Sequence, residues 1–195
     1  MHAVLTQIGA CAIDKLDMAK PLDLKIWDWN RMVDAFHGES DRGAAVLAGG
    51  FVENFLGVYL KSFVVDEKVG RDVFDAMGPL SSFSQRTAMA RAFGYITRRQ
   101  YDDLTLVRQI RNHFAHHPLE STFATPKVAT MCVKLGEYQV AQAESAAQLE
   151  AQINRTAYLF SCITFCGQAH LRMEKRASIN SAAEPKSSST ASNRK

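Results

Sequence analysis

The stretch that most limits what this chain can fold into is residues 41–65, DRGAAVLAGGFVENFLGVYLKSFVV. Read as a helix, it is apolar on nearly every side, so it must be wrapped by other elements and become the central, most buried helix of a bundle. Ser40 or Asp41 can cap its start. Gly43, Gly50 and Gly57 recur every seven residues along it. Each costs about 0.5–1 kcal/mol against alanine in a helix, so the stripe predicts another backbone or a substrate coming close. Beside the stripe stands Glu53, among Val46, Leu56, Leu60 and Val64 on the helical projection. A lone carboxylate is poorly placed there and calls for a cation.

Residues 97–118, TRRQYDDLTLVRQIRNHFAHHP, offer one. Thr97 and Gln100 form a capping box, and Ile96 with Tyr101 is spaced as a hydrophobic staple. Leu104, Val107, Ile110 and Phe114 give a helical apolar stripe. Pro118 pushes His117 out of helical angles, which ends the helix near His116. Arg111 interrupts the pattern. At about 100° per residue it projects between Leu104 and Val107, where an unpaired charge is costly. Glu53 is its expected partner. On these residues alone two readings stand: Arg111 and His116 form a site, or Arg111 pairs with a buried carboxylate and His116 merely ends a helix.

The other segments read as helices too, with no convincing strand, so the fold class is all-α. An amphipathic helix is expected over 21–36 (Leu22, Ile26, Trp29, Val33, Phe36), with Gly38 as its C-terminal cap. Residues 66–76 suit a short helix or turn. Gly78-Pro79 breaks the chain, and Ser81 or Ser82 caps a helix to Phe93, stopped by Gly94. Thr125-Pro126 is an N-cap and first-turn pair, opening a short helix that ends near Gly136. A long C-terminal helix is expected over 138–176, with Leu149, Ile153, Phe160 and Gly167 on one side. From Ala177 onward the composition turns to Ser, Ala, Lys and Asn without period, a disordered tail. The organisation is therefore an N-terminal extension (1–20), one helical domain (21–176) and a tail (177–195). With 195 residues, 47% of them hydrophobic, one domain can bury a sizeable core.

Charge and cysteine content narrow the setting. A net charge of +3 neither demands nor opposes a nucleic-acid partner. No uninterrupted apolar run reaches the 18 or more residues of a membrane span, and the N-terminus lacks a signal core. Four cysteines without framework spacing predict reduced thiols. The expected location is cytoplasmic, away from membranes.

Arg111-Asn112-His113-Phe114-Ala115-His116 has the form Arg, polar, three residues, His. It resembles the Arg-x4–6-His signature of the HEPN superfamily. A broader resemblance covers roughly residues 41–135. Asp41-Arg42-Gly43-Ala44-Ala45, then Gly78-Pro79-Leu80 before a helix with Phe83 and Arg86, then the Arg-Asn-x3-His segment, is similar to the mannitol-repressor (MltR/MtlR) family, itself similar to HEPN domains. The resemblance implies a HEPN-like bundle, a homodimer in which two motifs meet across a two-fold axis, and metal-independent cleavage of RNA to 2′,3′-cyclic phosphate ends. In that chemistry His116 transfers protons, Arg111 matches phosphate oxygens with its planar fork, and Asn112 and Glu53 position them. The favoured function is an endoribonuclease of the toxin or defence kind. The alternative is a non-catalytic transcriptional regulator of the mannitol-operon type, acting through a protein partner. An antitoxin or regulatory protein is the partner that each reading implies.

Further candidates surround this motif. Arg86, Arg91, Arg98 and Arg99 superficially suggest a helix-turn-helix, but Leu104, Val107, Ile110 and Phe114 point the second helix at a core rather than a major groove. A basic surface steering RNA backbone fits better. His113 and His117 are placed as further RNA contacts. His113, His116 and His117 lack a fixed carboxylate or cysteine nearby in sequence, and Cys162, Cys166 and His170 read as small buried residues on one helix side. No metal and no cofactor are expected.

Overall fold

A computed structural model of the protein describes residues 34–36, 38–117, 119, 121–144 and 149–183. The described helices are, in chain order, α1 (Asp41–Lys61), α2 (Glu67–Phe74), α3 (Phe83–Ala92), α4 (Arg98–His116), α5 (Pro126–Cys132), α6 (Tyr138–Glu144) and α7 (Glu150–Ala183). No strand occurs among the described residues, and the fold is all-α with a long C-terminal helix.

α1 is central, as its composition demands. It packs against α3, α4 and α7. Ala44, Ala45, Ala48, Val52 and Leu56 are fully buried on it. Its 21 residues have the length and mean hydropathy of a membrane span, and they supply the bundle's core instead. Fully burying each of its larger side chains, such as Val52, Phe55 and Leu60, contributes about 1.5–3 kcal/mol. Ser40 is the cap, its Oγ accepting from Gly43 N at 3.1 Å. Asp41 does something else: Oδ1 pairs with Arg155 of α7 at 2.9 Å, and Oδ2 accepts from Phe123 N at 3.1 Å.

α4 starts at the expected capping box. It buries Leu104, Val107, Ile110 and Phe114 to 1% exposure or less. It ends at His116 with His117 as C-cap. α3 begins at Ser82, also with a complete capping box. The glycine of the α3–α4 turn, Gly94, has φ +74°, a conformation open to glycine at little cost.

Several expectations are corrected. Thr125 is the N-cap of α5 and Pro126 opens its first turn, as expected, but the Thr125 side chain makes no cap hydrogen bond; its Oγ1 instead accepts from Thr122 N at 3.0 Å within the preceding turn. The helix expected over 138–176 is divided between α6 and α7, and α6 packs against α7. α7 continues through Ala183, so residues 177–183 are helical rather than part of a tail. Its buried side holds Tyr158, Cys162, Phe165, Cys166 and Ala169, whereas Leu149 is exposed. The glycine stripe on α1 is not a uniform close approach. A Cβ at Gly50 would meet open space, and one at Gly43 would meet only the neighbouring Glu39 and Ser40. A Cβ at Gly57 would meet Arg86 Nη1 of α3 at 3.2 Å, and the most tightly packed glycine of α1 is Gly49, beside the stripe. Most of the helix expected over 21–36, the extension 1–20 and the chain after 183 lie outside the described residues.

Candidate functional site

The second half of α4 carries the motif, and Gly49 decides how it sits. A Cβ at Gly49 would lie 2.7 Å from Tyr158 Oη and 2.8 Å from Cβ and Cγ of Arg111. Having none, α1 lets the Arg111 stem cross it closely. Tyr158 Oη donates to Ala45 O at 2.7 Å on the same side of α1.

The Arg111 guanidinium reaches Glu53: Nη2 donates to its carboxylate as an ion pair. Nη1 donates to Asn112 Oδ1 at 3.1 Å, and Nε is buried with no hydrogen-bond partner. The two charged side chains keep only 26% and 22% exposure. Water therefore weakens the pair less than it would on an open surface.

His116 lies elsewhere. Five residues on from Arg111, it projects about 140° further round the helix at the usual helical angle and is exposed. With Gln109, Asn112, His113, His117, Lys127 and Met131 it lines an open hollow of about 370 Å³. The rings of His113 and His117 stand 4.5 Å apart. Burial, with smaller contributions from His117 and Lys127, lowers the His113 pKa below the usual imidazole value. Cationic groups suit this end of α4, where the helix dipole is negative.

The structure thus gathers Asn112, His113, His116 and His117, and it joins Arg111 to Glu53. Asn112 is the link, lining the hollow while accepting from Arg111. Lys127 and Gln109 were not foreseen. Gln109 lies one turn before the motif on the same side, and Lys127 enters from α5 across the loop that follows His117.

The four arginines hold internal partners. Arg86 Nε donates to Leu80 O at 2.7 Å and Nη1 to Glu53 O at 3.2 Å, riveting α3 to α1. Burial lowers its pKa, opposed by Glu53. Arg91 Nη1 donates to Ile96 O at 3.3 Å. Arg98 pairs with Asp102 at 3.1 Å and Arg99 with Asp103 at 3.3 Å, both one turn on. None of the four lines the His116 hollow, and Arg98 stands about 27 Å from His116 by helical rise. Arg99 borders a larger cleft, about 690 Å³, between α4, α7 and the α5–α6 turn. There Gln100 Nε2 donates to Gln168 Oε1 at 2.7 Å, and Gly136 N donates to Asp103 at 3.0 Å.

Among the described residues no three His, Cys, Asp or Glu side chains gather as metal ligands. Cys132, Cys162 and Cys166 are buried and free. His170 Nε2 lies 3.2 Å from Glu174 Oε1.

No family model matches the chain, and no curated protein matches it. Solved structures do resemble it. One is YggD, a possible transcriptional regulator from Shigella flexneri 2a, with a TM-score of 0.61 at 16% identity over 75% of this chain and 99% of that one. Another is the MtlR–HPr complex from Escherichia coli, with a TM-score of 0.51 at 20% identity over 72% of this chain and 97% of that one. At such identities the likeness is one of fold.

Proposed function

We propose that the chain is a non-catalytic regulatory protein of the mannitol-operon-repressor kind, acting inside the cell by binding a protein partner. The observation that carries this reading is the state of Arg111. Its two Nη groups bond to Glu53 and Asn112, and its Nε is buried. A guanidinium held in this way joins α4 to α1 and has little left to offer a phosphodiester. Support also comes from the two fold relatives, one a possible transcriptional regulator and the other solved with HPr. The partner-binding test is calorimetric titration with HPr from the organism that encodes the chain. Saturable one-to-one binding is the expected result. Absence of binding together with cleavage of RNA would replace this reading with the next.

The second reading is the metal-independent endoribonuclease, favoured by the hollow at the end of α4. His116, His113, His117 and Lys127 bring proton-transfer groups and positive charge to one place. Asn112 connects them to Arg111. Here His116 moves the proton, Arg111 exchanges Glu53 for the phosphate, and a second copy supplies the opposing Arg and His. RNA incubated in EDTA with wild type, Arg111→Ala and His116→Ala separates the two readings. Cleavage by wild type alone establishes the nuclease, and equal inactivity of all three leaves the regulator.

A further inference from the structure

The opposite end of α4 carries a different arrangement. The rings of Phe63 and Tyr95 are stacked at 4.2 Å and 24°, and those of Tyr95 and Phe93 at 6.3 Å and 20°. Tyr95 is therefore stacked with two rings, closely with Phe63 and at longer range with Phe93. Arg176 of α7 lies over Phe63, 4.6 Å from its centroid. At the outer end Phe93 is 70% exposed. A single exposed phenylalanine needs no explanation, but this one terminates a stack and stands among guanidinium groups. Arg91 bonds to Ile96 O, next in the chain to Tyr95. Arg172 Nη1 donates to Tyr95 O at 3.0 Å and to Gln100 Oε1 at 3.4 Å. Arg98 opens α4 four residues after Gly94, its side chain 74% exposed. Of the carboxylates on these helices, Asp102 pairs with Arg98, Asp103 with Arg99 and Glu174 with His170.

We propose that this corner is a platform for single-stranded nucleic acid. An unpaired base extends the ring row on the open side of Phe93, and Arg91, Arg98 and Arg172 take the flanking phosphates. Each of these forks has five donors, and the bonds described engage a single nitrogen of each, Nη1 of Arg91, Nε of Arg98 and Nη1 of Arg172, which leaves the other nitrogens for a phosphate. Stacking is sequence-tolerant because every base has a π face, and duplex bases are unavailable for it. An acidic peptide would use the guanidinium groups but not the row of rings. The platform depends on neither reading of His116, which lies at the far end of α4.

The full chain is titrated into fluorescein-labelled oligouridine and oligoadenosine, and into a duplex of equal length, with anisotropy as readout. Single strands are expected to bind more tightly than the duplex. Phe93→Ala should weaken single-strand binding about tenfold or more, while Phe93→Trp retains it. Arg98→Ala should flatten the dependence on salt, and His116→Ala should leave binding unchanged. Circular dichroism melting establishes that each variant is folded. Failure of wild type to bind single strands at low salt would overturn the platform. So would a folded Phe93→Ala that binds like wild type, or equal affinity for the duplex. Displacement of RNA by poly-glutamate, equally potent on wild type and Phe93→Ala, would reduce the corner to a charged patch and overturn it too.

Discussion

Replacing Glu53 with glutamine leaves the Arg111 guanidinium largely enclosed with no anion beside it. The expected cost is about 1–3 kcal/mol, read as a lower urea midpoint with an unchanged slope. Methionine at both positions should cost less than Glu53→Gln alone, because no stranded charge then remains. A lone Glu53→Gln that melts like wild type would show that the pair does not hold α4 to α1. Burial also governs the thiols: it pushes Cys132 up to about 12, and it raises Cys162 and Cys166 well above the usual thiol value. Because the thiolate is the reactive form, a Cys11→Ser variant should be silent to a chromogenic disulfide at mildly alkaline pH until unfolded. His113 sets a pH dependence. Its folded pKa lies below the unfolded value, so the unfolded chain binds more protons as pH falls through about 6.5, and stability declines on the acid side. His113→Gln should reduce that decline in melting experiments. At this scale the sequence was informative where charge interrupted an apolar pattern. Glu53 and Arg111 each broke a stripe and therefore had to find each other. Lys127 gave no such sign, since only the path of the loop after His117 brings α5 beside the histidines.

Two adjacent glycines of α1 should respond oppositely to alanine. Gly49→Ala drives a methyl against Tyr158 Oη and the Arg111 stem. It should destabilise by about 1–3 kcal/mol, as overpacking does. Gly50→Ala meets nothing within 4 Å in mid-helix and should stabilise by about 0.5–1 kcal/mol. Thermal melts of the two variants test both signs. Of Gly43, Gly50 and Gly57, spaced seven apart, only Gly57 has another element close against it, the Arg86 guanidinium of α3, and the tightest approach is at Gly49 beside that stripe. Spacing identifies a line on a helix; only the neighbours tell which line is covered. The start of α4 was legible to the residue because its capping box is local chemistry, whereas α3 was legible only to within a residue: Ser81 and Ser82 both stood as its cap, and it ends at Ala92 rather than Phe93. The division between α6 and α7 was not. Between Tyr138 and Phe165 the sequence has no glycine or proline to break a helix, so propensity runs on while packing of α6 against α7 decides.

The bundle is closed by contacts between parts of the chain that are far apart. Asp41 joins the start of α1 to Arg155 of α7, 114 residues on, and to Phe123 in the loop after α4. Arg155 also donates to Phe36 O at 3.0 Å. Phe123 packs between Phe114 of α4 and Tyr158 of α7, its ring tilted against both at 5.0 and 5.6 Å, and its carbonyl accepts from the buried Asn154 at 2.9 Å. One shared core underlies all of these, so loosening the tie should lower a single cooperative transition rather than detach one helix. Asp41→Asn removes the charge from the Arg155 pair while an amide oxygen can still accept. We expect a loss of about 1–2 kcal/mol, equivalent to a fall in Tm of roughly 2–8 °C for a chain of this size. Tyrosine fluorescence and far-UV circular dichroism should report the same midpoint for wild type and variant. Two separated midpoints in Asp41→Asn would mean that α7 melts apart from α1. Arg155 would then be a local clasp, and the core would not be the common unit that the packing of α1, α4 and α7 implies.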